Sequence, residues 1–212
     1  MHNLCYFTNP FTTPTYLTVN MNPDSLSRSK SLPMAVLACL LLISLVLTPQ
    51  AAAQETVPAP EPRPSPLNLA RTTLPNGTYV KVHYSSPRKR DRVIFGELVP
   101  FGELWRTAAN ENTEITFTGN VIVGGQAVAA GTYTVFTIPG QATWTVILSK
   151  GLGQSGTVGY DPAQDALRVE VPATQMGATY EPFTILFEEA EGGTDLVMRW
   201  DQTQVAVPIR LP

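Results

Sequence analysis

Apolar residues recur at every second position over much of the chain from residue 70 onward. Val80, Val82 and Tyr84 alternate with Lys81 and His83, and Leu167, Val169 and Val171 alternate with Arg168 and Glu170. Phe183, Ile185 and Phe187 are set off by Thr184 and Glu188; Leu196, Met198 and Trp200 by Arg199 and Asp201; Val205, Val207 and Ile209 repeat the pattern. A period of two sends successive side chains to opposite faces of a strand, so each run predicts a strand with one face buried. Turn residues punctuate the runs at Pro75-Asn76-Gly77, Gly124-Gly125, Pro139-Gly140 and Gly192-Gly193. Residues 131–138 and 144–148 are apolar on both faces, which predicts a hairpin in the middle of a sheet covered on both sides. About nine short strands at such spacing predict an all-β fold, either an antiparallel β-sandwich or a jelly-roll-like barrel.

One connection stands apart from this pattern. Residues 102–115, GELWRTAANENTEI, crowd three carboxylates, an arginine, a tryptophan and two asparagines into a single stretch. It lies between a strand candidate near 93–95 and a clear one at 114–118, and a connection that long usually carries a function or structure of its own. Glu103 and Thr107 stand four apart with the acidic group leading, so residues 103–109 predict one short helix in this long loop.

The first 53 residues change the picture of where the chain works. Arg28 and Lys30 supply positive charge, a 14-residue apolar run follows from Met34 to Leu47, and Ala51-Ala52-Ala53 supplies a small-residue cleavage site. This is the three-part layout of a secretory signal peptide. The run falls short of the roughly 20 residues that a spanning helix needs, so residues 1–53 read as a cleaved leader rather than a retained transmembrane span. Met21 offers an alternative start. Val36-Leu37-Ala38 precedes Cys39 in the manner of a lipoprotein site, but apolar residues continue beyond that cysteine, which places it inside the run. Cleavage before Gln54 removes Cys5 and Cys39, the two cysteines of the chain. The mature protein then has no disulfide, thiol nucleophile or cysteine metal site. Residues 54–69 form a Pro-rich linker, with a proline at every second position from Pro58 to Pro66, and such a stretch favours an extended spacer. Residues 70–212 suit a single β domain. From Gln54 onward 12 basic residues face 16 acidic ones, a balance of −4. That balance argues against nucleic acid and anionic membrane surfaces as partners.

The run SPRKRDRVIFGELVPFGELWRTAANENTEITF, followed by GTYTVFTIPG, WTVILSK, DALRVEV and VMRWDQTQVAVPI, resembles the family catalogued as domain of unknown function 2911. The resemblance spans about residues 72–209, with several motifs in order. It implies an exported bacterial protein and leaves the activity open. Two departures from the family's pattern stand out: Ala108 where the family has glycine before alanine-asparagine, and GQSGTVGYD in place of a tryptophan-glycine pair before tyrosine-aspartate. The second weakens any ligand role for that later loop.

Candidate chemistry gathers in residues 86–114. Glu103 and Glu111 are the candidate catalytic pair, because two carboxylates in different environments can divide acid and base roles. Arg106 can grip a carboxylate or phosphate with two parallel hydrogen bonds, and Trp105 can stack on a sugar ring. Asn110 is a further polar contact. His83, the one histidine after residue 53, suits a general base by its ordinary pKa. Arg88 heads a basic patch with Lys89, Arg90 and Arg92 that can hold an anionic group or be a solvated turn. A plainer account has Arg106 pair with Glu111 or Glu97, the asparagines bond their own backbone, and Trp105 join the core. One histidine with scattered acids gives no metal-ligand spacing, and no cofactor motif, phosphate loop or serine elbow is present. Three functional readings follow: a carbohydrate or peptide-like ligand bound through residues 86–114, a hydrolase using Glu103 and Glu111, and a structural envelope component. The expected location is periplasmic or extracellular.

Overall fold

A computed structural model describes residues 61–212. The expected leader and the first part of the linker lie outside the described residues. The chain is all-β, with nine strands: β1 (Leu67–Thr73), β2 (Tyr79–Ser85), β3 (Ala109–Phe117), β4 (Val121–Val123), β5 (Gln126–Val128), β6 (Gly131–Ile138), β7 (Thr143–Ser149), β8 (Asp165–Ala190) and β9 (Gly193–Arg210). They pair antiparallel in the order β1-β2-β3-β6-β7-β8-β9-β4-β5. Both ends of the order are open, so the sheet does not close into a barrel.

The alternating runs act as predicted. Val80, Val82 and Tyr84 of β2 point into the core, as do Ile115 and Phe117 of β3 and Trp144, Val146 and Leu148 of β7. The hairpin β6–β7 sits mid-order between β3 and β8. Its second face buries Phe136 and Ile147, and Tyr160 covers Phe136 edge-on at 5.0 Å. Burial, and then the Asp165 carboxylate that accepts from it at 2.7 Å, push the Tyr160 hydroxyl up to about 12.

The runs at 167–171 and 183–187 belong to one strand, β8, and those at 196–200 and 205–209 to β9. Straight, a strand of 26 residues would reach about 85 Å at about 3.3 Å per residue, roughly twice the breadth of a domain this size. It therefore bends. Its first part pairs with β7 and the rest with β9, and its register with β9 slips between Gln175 and Tyr180 and again before Thr184. The bend returns the later half of the order against β2. There the Tyr84 hydroxyl donates to the Ile185 carbonyl at 3.3 Å, and the Phe183 amide donates to the Pro87 carbonyl at 2.8 Å. Burial, outweighing that hydrogen bond, pushes the Tyr84 hydroxyl above its usual range.

Two further expectations are corrected. Residues 103–109 form no helix; the helical structure among the described residues is a single 3-10 turn, Pro162–Gln164. Residues 102–105 pair with the end of β6 instead. The Trp105 amide donates to Thr137 O at 2.7 Å, the Thr137 amide returns the bond at 2.9 Å, and the Gly102 amide donates to Pro139 O at 2.8 Å. These bonds, with the aromatic packing described below, outweigh the few tenths of a kcal/mol that a pair four residues apart lends a helix. The linker also ends earlier than read from sequence. β1 begins at Leu67, and residues 63–66 are held against the domain. Arg63 pairs with Glu111 at 2.7 Å, the Asn110 side-chain amide donates to Ser65 O at 3.2 Å, and the Ser86 amide donates to Pro66 O at 2.8 Å.

Candidate functional site

Trp105 is the pin of the long connection between β2 and β3. Its ring stands 5.3 Å from Phe183, 6.1 Å from Phe95, 6.1 Å from Trp144 and 6.0 Å from Trp200, the last stacked at 17°. Phe95 comes from the same connection, and the other three from β7, β8 and β9. Aromatic pairs at such distances contribute about 0.5–1.5 kcal/mol each beyond the area they bury. Trp105 Nε1 donates to Ala108 O at 3.2 Å, so the turn after the tryptophan closes on its own ring.

That turn forces unusual backbone. Thr107 is wholly buried with φ 58°, a left-handed conformation that a β-branched residue rarely adopts. Its hydroxyl shares a bond with the Thr137 hydroxyl at 3.1 Å, and its carbonyl accepts from the Thr113 hydroxyl at 2.9 Å. Asn110 (φ 55°), Arg90 (φ 50°), Asp91 (φ 58°) and Asp201 (φ 53°) are the other non-glycine residues in this region of backbone space among those described. Strain of this kind collects where a site is held in shape by its surroundings. Here it flanks one cavity.

The cavity has a volume of about 290 Å³. Trp105, Trp200, Val99 and Ala108 give it apolar wall, and Leu98 stands at its exposed edge. Arg88, Arg90, Arg92 and Arg106 supply its charge, while Pro64 and Ser65, from the segment held against the domain, form part of the lining. Among the described residues no carboxylate lines it. The arginines differ in freedom. Arg92 donates from Nε to Lys89 O at 2.9 Å and from Nη2 to Arg88 O at 2.6 Å, so it braces its own turn. Arg90 reaches Pro64 O at 3.5 Å, and its amide donates to Glu181. Lys89 is neutralised by Asp201 at 3.1 Å. Arg88 and Arg106 have no side-chain partner among the described residues, and Arg106 Nε is buried without an acceptor.

The sequence candidates thus do not form a single site. Trp105, Arg106 and Arg88 meet at the cavity. Glu111 and Asn110 lie in β3 beside the held segment, where Glu111 accepts from Arg63 and from the Ser85 hydroxyl at 3.4 Å. Its own backbone amide, then Arg63, hold the Glu111 carboxyl below its usual range. Glu103 is exposed and outside the cavity lining. His83 faces Glu114 across the β2–β3 pair at 3.4 Å, also away from the cavity. Sequence reasoning missed Trp200, which reads as an ordinary core position of an alternating strand. The one available signal was Asp201 immediately after it, a charged residue that interrupts the alternation and takes a left-handed conformation. Among the described residues no three His, Cys, Asp or Glu side chains gather as a metal site requires, and no helix is long and apolar enough to cross a membrane.

A family described as "Protein of unknown function (DUF2911)" matches residues 65–209, a span holding every cavity-lining residue except Pro64. No curated protein and no solved structure matches the chain.

Because Arg106 holds no carboxylate among the described residues, removing it strands none of them. Arg106→Ala should therefore cost about 1 kcal/mol or less in a thermal or denaturant melt. A loss of about 3–5 kcal/mol, the scale for breaking a buried ion pair, would show instead that Arg106 is an architectural clamp.

Proposed function

The chain belongs to the family of proteins of unknown function DUF2911, and we propose that it is an exported protein that binds a carbohydrate or peptide-like ligand through residues 86–114. One observation carries this reading: Trp105 and Arg106 both line a walled cavity of about 290 Å³, most of it built by that stretch. Ligand cavities span about 300–1,000 Å³, so this one suits a ligand about the size of a monosaccharide or a dipeptide. An aromatic wall beside hydrogen-bond donors is what a sugar ring or a short peptide needs, since each presents apolar faces edged with polar atoms.

Glu103 and Glu111 lend a hydrolase less support, because neither lines the cavity. A purely structural role fits poorly with a half-buried arginine that has no partner among the described residues. Export rests on the three-part layout of residues 1–53. The fold-back at β8 is more consistent with a sandwich than with a barrel.

Two measurements test the reading. Edman sequencing of protein from the cell envelope should give Gln54 as the first residue; a start upstream of Met34 would contradict export by cleavage. Trp105 and Trp200 should report occupancy by fluorescence, with a saturable change on titration with at least one of a panel of mono- and disaccharides and di- and tripeptides. Leu98→Phe, which adds bulk at the exposed rim without adding charge, should weaken that response. No saturable change across the whole panel would sink the binding proposal.

A further inference from the structure

The arginines around the cavity are unusual for this chain. Nine arginines lie among the described residues. Arg63, Arg168, Arg199 and Arg210 each pair with a carboxylate, at distances up to 3.1 Å. Of the five without such a pair, Arg88, Arg90, Arg92 and Arg106 all line the same cavity, and Arg71 is the fifth. A chain with more acidic than basic residues has carboxylates enough to neutralise them. It uses those carboxylates elsewhere, on Lys89 and on the arginines of β8 and β9.

The donors are also unequally committed. Arg90 and Arg92 have guanidinium donors bonded to main-chain carbonyls, which fixes their positions and leaves their charge in place. Arg88 and Arg106 line the cavity with no carboxylate or carbonyl partner for their side chains among the described residues. Arg106 Nε is buried and lacks an acceptor, and a buried cationic donor left unpaired is costly. A site that concentrates like charge beside an apolar wall favours an oxyanion over any neutral group, because the low dielectric of the wall strengthens the attraction.

Resting on the binding reading above, we propose that the ligand is a small carboxylate, its charged group held by Arg106 and Arg88 and its body against Trp105 and Trp200. Arginine suits this task because its planar fork matches the two oxygens of a carboxylate. The cavity's size admits two sources of that group, an acidic sugar or the free C-terminus of a short peptide.

The test uses matched probes that differ only at the charged group: D-glucuronate against D-glucose, and acetyl-dialanine against its C-terminal amide. Binding is measured by isothermal titration calorimetry on the mature chain at low and at raised salt. In at least one pair the acid should bind about tenfold or more tighter than its neutral partner, with affinity that weakens as salt screens the arginines. Preference within the sugar pair identifies the acidic sugar as the source, and preference within the peptide pair identifies the peptide terminus. Arg88→Gln, on an exposed side chain, and Arg106→Gln should each erase most of that preference, and Arg106→Lys should restore it only in part. Equal binding of acid and neutral partner would overturn the carboxylate assignment and leave the binding reading standing. No binding by any of the four probes would overturn the carboxylate assignment, with the wider panel above deciding the binding reading, and a preference that survives both Gln variants would overturn the assignment to these arginines.

Discussion

Everything around the cavity depends on the burial of one side chain, Trp105. Its ring is surrounded by Phe95, Trp144, Phe183 and Trp200, which come from the connection itself and from strands far apart in sequence. Once that ring is seated and the backbone beside it is paired with Thr137, the next residues have little choice of path. Thr107 is driven into a left-handed conformation, and Arg106 is left beside the aromatic wall. The alternatives of core tryptophan and binding tryptophan turn out not to exclude each other. The same ring packs the interior and presents part of itself to the cavity.

Period two made β2 legible in the sequence, because Val80, Val82 and Tyr84 face one interior, and runs apolar on both faces did the same for β6 and β7. It was silent about which runs join. The runs now within β8 are separated by a polar stretch around Gly177, and those within β9 by Asp201, so they read as separate strands although the β8–β9 pairing continues past both breaks. The helix expected at 103–109 failed for a different reason. Local spacing registers pairs four residues apart, whereas the bonds that decide this segment go to Thr137 and Pro139, some thirty residues downstream. The spacer reading failed at residues 63–66 in the same way, since proline spacing carries no trace of Glu111, Asn110 or Ser86 waiting to hold it.

The candidate site was legible as a list and illegible as an arrangement. Residue type singled out Trp105, Arg106 and Arg88. It could not separate them from Glu103, Glu111 and His83, which stand close in sequence but outside the cavity lining. What separates them is the pairing of charges. Glu111 is committed to Arg63 and Glu114 faces His83, while among the described residues the cavity is lined by arginines and by no carboxylate. Charge of one sign held around an apolar wall opposes folding, and a protein that keeps it sets function against stability.

That opposition gives the central claim its most direct test. The melting temperature of the mature chain is compared at low and at near-molar sodium chloride, beside the double variant Arg88→Gln with Arg106→Gln. Salt screens repulsion among unpaired like charges, so the wild-type chain should gain more in melting temperature than the variant, and at low salt the variant should be the more stable of the two. Equal responses to salt, together with a variant less stable than the wild type at low salt, would mean that these arginines are neutralised within the fold and are not held for a ligand.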